Sequence, residues 1–383
     1  MVPSPRSSAG AKALAIRAGL DAGAAAVRVA RAARDGQTFA NMNASFARGD
    51  LATWRYDSQY AQRATDPACV LPGARSVVCI AVAYATPGVP AGRLHGRISN
   101  YAWSYDYHAR VRVILEAIAA ALDDAAGESV TAIVCDTRPL AERAFAAQSG
   151  LGWVGKHTNV ISADAGSFVF LGEVITTLDL EADSPSKKTC GSCDRCVRAC
   201  PTGALRGDYT IDATRCISDI TQRRGAIPRE LRALVGQWVW GCDICQIVCP
   251  PTQRAPYANP EFNAPIDGEL ASPSLERLLL LTDGEFETRY KASAAGWRGA
   301  TILRRNAAVA LGNALDRASA DALERSLETD PSALVRAHAA WALGRIGSPR
   351  ALRALGGRRA SEGDASVLEE IAWALEPFAT DAR

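Results

Sequence analysis

Eight of the chain's 11 cysteines lie between positions 190 and 249, and their spacing constrains the fold more than any other feature. The first run reads Cys190-Gly-Ser-Cys193-Asp-Arg-Cys196-Val-Arg-Ala-Cys200-Pro201. In the second, Cys216 stands alone before Cys242-Asp-Ile-Cys245-Gln-Ile-Val-Cys249-Pro250. Thiolates two residues apart wrap successive corners of an iron–sulfur cubane, and the cysteine before proline crosses to the neighbouring cluster. The crossing predicts Cys190, Cys193, Cys196 and Cys249 on one 4Fe–4S cluster, with Cys200, Cys216, Cys242 and Cys245 on the other. No ligand is left over, so the segment is read as an electron carrier. Structural zinc favours two separated C-x-x-C pairs over this spacing. Disulfides would need an oxidising compartment, and no secretory segment leads the chain. Cys69, Cys79 and Cys135 stand in apolar surroundings and are expected to be buried structural thiols.

A chain of 383 residues can hold two or three domains. Its 48% apolar and 22% charged residues suit a soluble globular protein, and a net charge of +2 by itself names no partner. The alanine-rich stretch 11–33 is interrupted by Arg17, Asp21, Arg28 and Arg31. It therefore has neither a secretory apolar core nor a membrane span of about 20 apolar residues. It predicts an amphipathic helix in a cytoplasmic protein that binds no membrane, and the chain is read as a monomer.

Three textures follow one another, giving an α+β chain overall. Residues 1–185 carry apolar, β-rich runs at Ser76–Tyr84, Val130–Cys135 and Ser167–Thr176. Val111, Ile114, Leu115, Ile118 and Leu122 recur with helical spacing. This zone predicts an α+β or α/β domain large enough to hold a cofactor, and α/β is the expectation taken forward. Residues 186–255 form a ferredoxin-like domain whose insertion, 217–241, is expected to face whatever the clusters reduce. In 256–383, Leu303-Arg-Arg-Asn-Ala-Ala-Val-Ala-Leu-Gly312 matches Val335-Arg-Ala-His-Ala-Ala-Trp-Ala-Leu-Gly344 and Val367-Leu-Glu-Glu-Ile-Ala-Trp-Ala-Leu-Glu376 at equal intervals of 32 residues. A fixed period of this length marks an α-solenoid of HEAT type. Glu369 and Glu370 replace basic residues in the last copy, as a polar terminal cap would.

Other stretches resemble the epoxyqueuosine reductases, the cobalamin-dependent enzymes that complete queuosine in tRNA. Asp136-Thr-Arg-Pro-Leu-Ala-Glu-Arg143 followed by Gly150-Leu-Gly-Trp-Val-Gly-Lys-His157 is similar to that family's acid-bearing strand end and cofactor loop. Gly166-Ser-Phe-Val-Phe-Leu-Gly-Glu173, Arg215-Cys-Ile-Ser218 and the Gly241–Pro250 run are similar too, and the likeness extends from about Gly49 into the repeats. Gly150, Gly152 and Gly155 are too widely spaced for a dinucleotide fingerprint. One stretch departs. Where the family shows Arg-Tyr-Ala-x-Gly-Arg-Asp-Tyr-His, this chain has Asn100-Tyr-Ala-Trp-Ser-Tyr-Asp-Tyr-His108, so Asn100, Ser104 and Tyr105 replace two arginines and a glycine.

The resemblance implies a reductase acting on epoxyqueuosine at the wobble position of tRNA, with cobalamin fed by two 4Fe–4S clusters from an external low-potential donor. Clusters deliver single electrons but do not attack carbon, so a further cofactor is required. Opening an epoxide leaves negative charge on oxygen, and Asp136 at its strand end is the implied general acid. Read from residues alone, Asp136 would cap a helix beginning near Pro139. Ser99, His157, Val160, Leu171, Ser218 and Asp243 join Asp136 as implied cobalamin contacts. Two other readings remain: a reductive dehalogenase-like cobalamin enzyme on a small substrate, and a non-catalytic iron–sulfur electron-transfer protein. For the anticodon stem-loop of tRNA, Arg304, Arg305 and Arg336 are expected to form a basic ridge on the solenoid, with Arg223, Arg224 and Arg229 of the insertion adding contacts.

Overall fold

The computed structural model describes residues 7–88, 92–258 and 269–378. They divide into two compact units whose chain segments interleave. The first comprises the described parts of Met1–Pro87, Asp106–Thr214 and Ile244–Asn263; the second comprises those of Gly88–Tyr105, Arg215–Asp243 and Ala264–Arg383. Among the described residues the strands are, in chain order, β1 (Ala26–Arg31), β2 (Ser76–Ala83), β3 (Arg97–Ile98), β4 (Thr131–Val134), β5 (Gly152–Val154), β6 (Val160–Ser162), β7 (Val169–Thr176) and β8 (Trp238–Trp240).

The first unit is built on a sheet in the order β1-β2-β7-β4. β2 is buried along nearly its whole length because both sheet faces are covered. The helices Ser8–Asp21 and Tyr107–Ala126 pack on one side, and the helix Glu142–Gln148 packs on the other. Val111, Ile114, Leu115, Ile118 and Leu122 are the buried face of the Tyr107–Ala126 helix, as their spacing predicts. Every neighbouring strand pair in this sheet is antiparallel, which corrects the α/β expectation for this zone. An apolar run reports burial on both faces and is silent about strand direction.

The helix expected over 11–33 is also corrected. It ends at Asp21, and the chain then forms β1, with Val27 opposite Ile80 and Val29 opposite Val78. Alanine favours helix only weakly, and pairing with a buried strand overrides that preference. Cys79 and Cys135 are buried, and burial pushes both thiols up. Cys69 is exposed instead, at the end of a short turn, Pro67–Cys69, capped by Asp66.

The second unit stacks the helices Ala300–Ala314, Ala333–Ile346 and Ala365–Leu375, with Ala320–Thr329 and Pro349–Arg359 between them in sequence. Gly312 and Gly344 recur at the repeat interval because the next helix lies against them. A Cβ on Gly312 would stand 2.7 Å from the Trp341 ring, and one on Gly344 would stand 2.6 Å from Ala374 Cβ.

A second recurring position holds the 217–241 insertion. Asn306, His338 and Glu370 sit one repeat apart and are all buried. Asn306 Nδ2 donates to the carbonyls of Thr221 and Val239, both at 2.7 Å. Ile227 N donates to His338 Nε2 at 3.1 Å, and Arg232 donates twice to Glu370 at 2.9 and 3.0 Å. The insertion therefore packs on the repeats through a polar ladder. Glu370 is no solvent-facing cap either, since a buried carboxylate at the last rung receives Arg229 and Arg232. No helix among the described residues is long and apolar enough to cross a membrane.

Candidate active site and cluster ligands

Asp136 follows β4 with its backbone in the left-handed region, φ 52°. Aspartate tolerates that conformation better than most residues, and such strain is found where a side chain must be aimed. The hydroxyl of Tyr107 donates to Asp136 Oδ2. Asp136 N donates to Glu142 Oε1 at 2.7 Å, and His108 Nε2 lies 3.9 Å from Asp136 Oδ2. The next helix starts at Glu142, with no side-chain cap bond at Ala141, so Asp136 is not its cap.

The side chain of Asp136 is 54% exposed. It opens onto a cavity of about 300 Å³ walled by Tyr84, Tyr107, Val160, Phe170 and Leu171 and also bordered by Glu142. Tyr107 is fixed by stacking on Phe170, ring centroids 4.2 Å apart. Burial, and then the charge of Asp136, push the Glu142 carboxyl up to about 8. His108 is held above its ordinary value by its hydrogen bond to Asp106.

The cysteines of the first set lie together in the first unit. Burial raises the Cys196 thiol, and Cys190 and Cys249 raise it further; Cys249 is likewise raised by burial and then by Cys190 and Cys193. Thiols of this sort become ligands only when metal displaces their protons. Lys156 N donates to Cys190 Sγ at 3.4 Å, and Lys156 Nζ donates to the Gly191 carbonyl at 3.0 Å, so the Gly-Lys-His loop braces the first cysteine of the run. Burial alone would raise Cys200, but the Thr202 hydroxyl and the amides of Leu205, Ala204 and Thr202 outweigh it and bring the thiol down. Amide donors around sulfur suit a cluster thiolate. Among the described residues no three His, Cys, Asp or Glu side chains converge as the ligands of one ion would. A cubane presents four separate iron corners, so its thiolates need no such common point. Cys245 belongs to the first unit, and Cys216 and Cys242 belong to the second.

Of the other expected cofactor contacts, Val160 and Leu171 line the Asp136 cavity. His157 is buried in the same unit, and its Nδ1 accepts from Asn159 N at 3.2 Å while Nε2 has no partner among the described residues. Burial holds His157 neutral, down to about 4. Ser99, Ser218 and Asp243 belong to the second unit. There Ser99 Oγ donates to Asp243 Oδ1 and Asn100 N donates to Oδ2 at 2.8 Å; burial pushes this carboxyl up to about 6. Ser218 accepts from Gln222 Nε2 through both its carbonyl and its hydroxyl. Of the departing residues, Asn100 is buried, Ser104 donates to the Tyr105 carbonyl, and Tyr105 is 65% exposed. Tyr107, Glu142 and Lys156 lay within quoted motifs, but nothing in their spacing marked them.

The basic ridge is not formed. Arg305 is fully buried and donates to the carbonyls of Arg223, Gly225, Ile220 and Thr221. Arg304 pairs with Asp330 at 2.9 Å, and Arg336 pairs with Glu362 at 2.9 Å one repeat later. Both acids lie 26 residues beyond their arginines, outside the stretches 289–315 and 332–361, which hold basic residues and no Asp or Glu. Arg223 is taken up by Asp219, and Arg229 by Glu369 and Glu370. Arg224 remains exposed. It lies close enough to Arg298 to lower that guanidinium's proton affinity, after burial, and Arg298 stands 3.5 Å over the centroid of the half-exposed Trp297 ring.

The Arg336–Glu362 pair predicts an acid-sensitive joint. Arg336, helped by a backbone amide and Arg358, holds Glu362 down to about 2. A lowered carboxyl stabilises the fold above its unfolded value, and that stability is lost as pH falls through the folded one. Arg336→Ala is expected to cost about 1–3 kcal/mol at neutral pH and to flatten the loss of stability between pH 4.5 and about 2. Denaturant unfolding at several pH values checks both.

Three family models match the chain. One, described as a 4Fe-4S double cluster binding domain, covers residues 189–252; one, described as Epoxyqueuosine reductase QueG, DUF1730, covers 64–137; and HEAT repeats cover 299–376. The epoxyqueuosine reductase of Bacillus cereus is 35% identical over 324 residues, spanning 83% of this chain and 85% of that protein. The epoxyqueuosine reductase of Synechocystis sp. is 40% identical over 244 residues, spanning 62% of this chain and 83% of that protein. A crystal structure of epoxyqueuosine reductase with a tRNA-Tyr epoxyqueuosine-modified tRNA stem loop matches with a TM-score of 0.89 at 31% identity, over 95% of this chain and 98% of that one.

Proposed function

The chain belongs to the epoxyqueuosine reductase family, and we propose that it reduces epoxyqueuosine to queuosine in tRNA with Asp136 as the general acid. The observation that carries this reading is the placement of Asp136. Its strained turn holds a carboxyl at a cavity with apolar walls at Val160, Phe170 and Leu171, in hydrogen bonds with Tyr107 and with Glu142 through its own amide. A carboxyl so placed can meet the charge that develops on an opening epoxide oxygen.

Two clusters would supply electrons, held by Cys190, Cys193, Cys196 and Cys249 and, on spacing, by Cys200, Cys216, Cys242 and Cys245. The apolar walls at Val160, Phe170 and Leu171, with an acid at the rim, fit one face of a cobalamin beside its substrate. When bound, that cofactor supplies the strongly reducing metal centre that no side chain provides. His157, neutral and with an unpartnered ring nitrogen, is a further contact in this reading, as are Ser99, Ser218 and Asp243. The segments 1–185, 186–255 and 256–383 then divide the work into cofactor and substrate chemistry, electron delivery and tRNA recognition. The protein is placed in the cytoplasm, where charged tRNA and reduced clusters coexist.

The test uses cluster-loaded protein, cobalamin, a low-potential one-electron donor and an anticodon stem-loop carrying epoxyqueuosine. Nucleoside analysis is expected to show queuosine, and an unchanged epoxide would overturn the assignment. Recognition of tRNA falls to Arg224, Arg298 and the exposed Trp297 ring, which offers a base a stacking surface. Arg224→Glu is expected to weaken stem-loop binding and to reduce the dependence of log affinity on log salt by roughly 0.7–0.9. Iron content should not change. Titrations at several salt concentrations read both effects.

A further inference from the structure

Reduction of an epoxide to an alkene consumes two electrons and two protons and releases water. The first carbon–oxygen bond breaks as a proton reaches the ring oxygen. The second breaks as the carbon–carbon double bond forms, and the oxygen leaves as water on taking another proton. Electrons come one at a time from a low-potential donor through the clusters. Asp136 as sole acid has one proton to give, so a turnover needs that group reloaded before the second bond breaks.

We propose that Glu142 is the reloading group: Asp136, loaded from solvent, gives the first proton, and Glu142 holds a second that it passes to Asp136 afterwards, so that a single acid site delivers both. The inference rests on the reductase reading above. Its basis is geometric. Glu142 begins the helix that lies over the sheet, and its Oε1 accepts the Asp136 amide at 2.7 Å. Both carboxyl groups border the same cavity. Two carboxyls sharing one site cannot both ionise cheaply, so the pair still keeps a proton once Asp136 has given its own.

The groups facing the pair come from every neighbouring element. Tyr107 and His108, at the start of the Tyr107–Ala126 helix, approach Asp136. Arg143 stands beside Glu142 and favours its ionised form. From the sheet, β7 contributes Glu173, β2 contributes Cys79, and Cys135 follows β4. Tyr60 approaches from the helix Ser58–Ala64. Arg143 is thus the cation named beside Glu142 among the described residues, with His108 nearer to Asp136.

Glu173 lies close to the pair. It is fully buried, opposite Cys79 and Val134 in the sheet, and neither carboxyl oxygen meets a hydrogen-bonding partner among the described residues. Burial pushes it far up, and Glu142 and Asp136 push it further. An ionised group without partners is too costly there, so Glu173 is a neutral acid and adds no charge to the pair. The low-dielectric floor makes loss of the Glu142 proton unfavourable at neutral pH.

Glu142→Gln keeps an acceptor for the Asp136 amide and removes the proton store. It is expected to lower kcat roughly tenfold or more, short of the full 10²–10⁴ of a direct acid because solvent can still reload an exposed Asp136. KM for the stem-loop should hold within about twofold, since uniform binding is untouched. The alkaline limb of kcat, expected near pH 8 in the wild type, should move to lower pH. Glu142→Asp should restore part of the rate.

Infrared titration of the full chain before any turnover gives a second readout. Beside the band of neutral Glu173, a second protonated-carboxyl band should disappear as pH passes about 8, should be absent in Glu142→Gln, and should titrate lower in Asp136→Asn, where the neighbouring charge is gone. A Glu142→Gln enzyme with the wild-type alkaline limb would overturn the proposal, as would survival in it of the band that titrates near pH 8. If Glu142→Gln does not fold, the Asp136→Asn titration decides: an unshifted band overturns the sharing. A wild-type chain that leaves epoxyqueuosine unreduced defeats the reductase reading instead.

Discussion

Asp136→Asn is expected to lower turnover by at least about 10²-fold, the low end for a positioned acid, with folding, cluster content and stem-loop affinity close to wild type. Asparagine matches aspartate in size and tolerates the left-handed backbone that position 136 requires, φ 52°. The amide that bonds Glu142 belongs to the backbone, so that contact survives the substitution. Tyr107 still finds an acceptor in the side-chain carbonyl. Only the proton is missing. A residue serving as a helix cap would show the opposite pattern, with stability falling by about 1 kcal/mol and activity kept. The helix that follows starts at Glu142 under Ala141, which leaves no capping role to lose. Single-turnover kinetics with a matched thermal melt separates the two outcomes; full turnover in a folded Asp136→Asn protein would remove the acid.

Cys249→Ser is expected to abolish activity by removing the cluster held by Cys190, Cys193 and Cys196, with a loss of about four irons per chain. Cys249 lies far along the chain from those three, yet its thiol is raised by Cys190 and Cys193, and it helps raise Cys196. Electrostatic influence of that kind needs spatial proximity. Packing of the helix Arg195–Ala199 on Ile244–Ile247 brings the two runs together. Serine keeps the volume but binds iron poorly in a site built for thiolate. Cys200→Ser should damage the other cluster and spare this one. Iron counting with electron paramagnetic resonance on both variants tests the crossing, and damage in each case to the cluster nearest in sequence would reverse the ligand sets.

What could be read ahead of the structure had short range or strict period. The buried strands near 76–84, 130–135 and 167–176 are apolar runs, and their burial follows directly from composition. The Tyr107–Ala126 helix shows its buried face as a 3.6-residue period. The repeats announced themselves by equal intervals, which equal helix stacking requires. Asp136 was legible only by resemblance, because a lone aspartate after a strand carries no periodic signal.

The misreadings share a cause. Arg304 and Arg336 looked unpaired because a charge run is judged against its neighbours in sequence, whereas their partners Asp330 and Glu362 arrive from the other end of each repeat. Arg305 looked like surface because arginine seldom lies inside, yet a ring of backbone carbonyls replaces water around it. Glu370 looked like an end cap until the insertion's Arg232 closed on it.

The sequence by itself determined the double-cluster segment and the solenoid, since cysteine spacing and a 32-residue interval survive in one dimension. Only the tertiary structure decided which charges are spent inside the fold and which remain outside. It also decided the strand directions and set Glu142 and Glu173 around Asp136. Those are properties of pairs far apart in the chain. Burial and charge pairing act through space at a few ångströms, and a linear spacing records that distance only where the chain repeats itself.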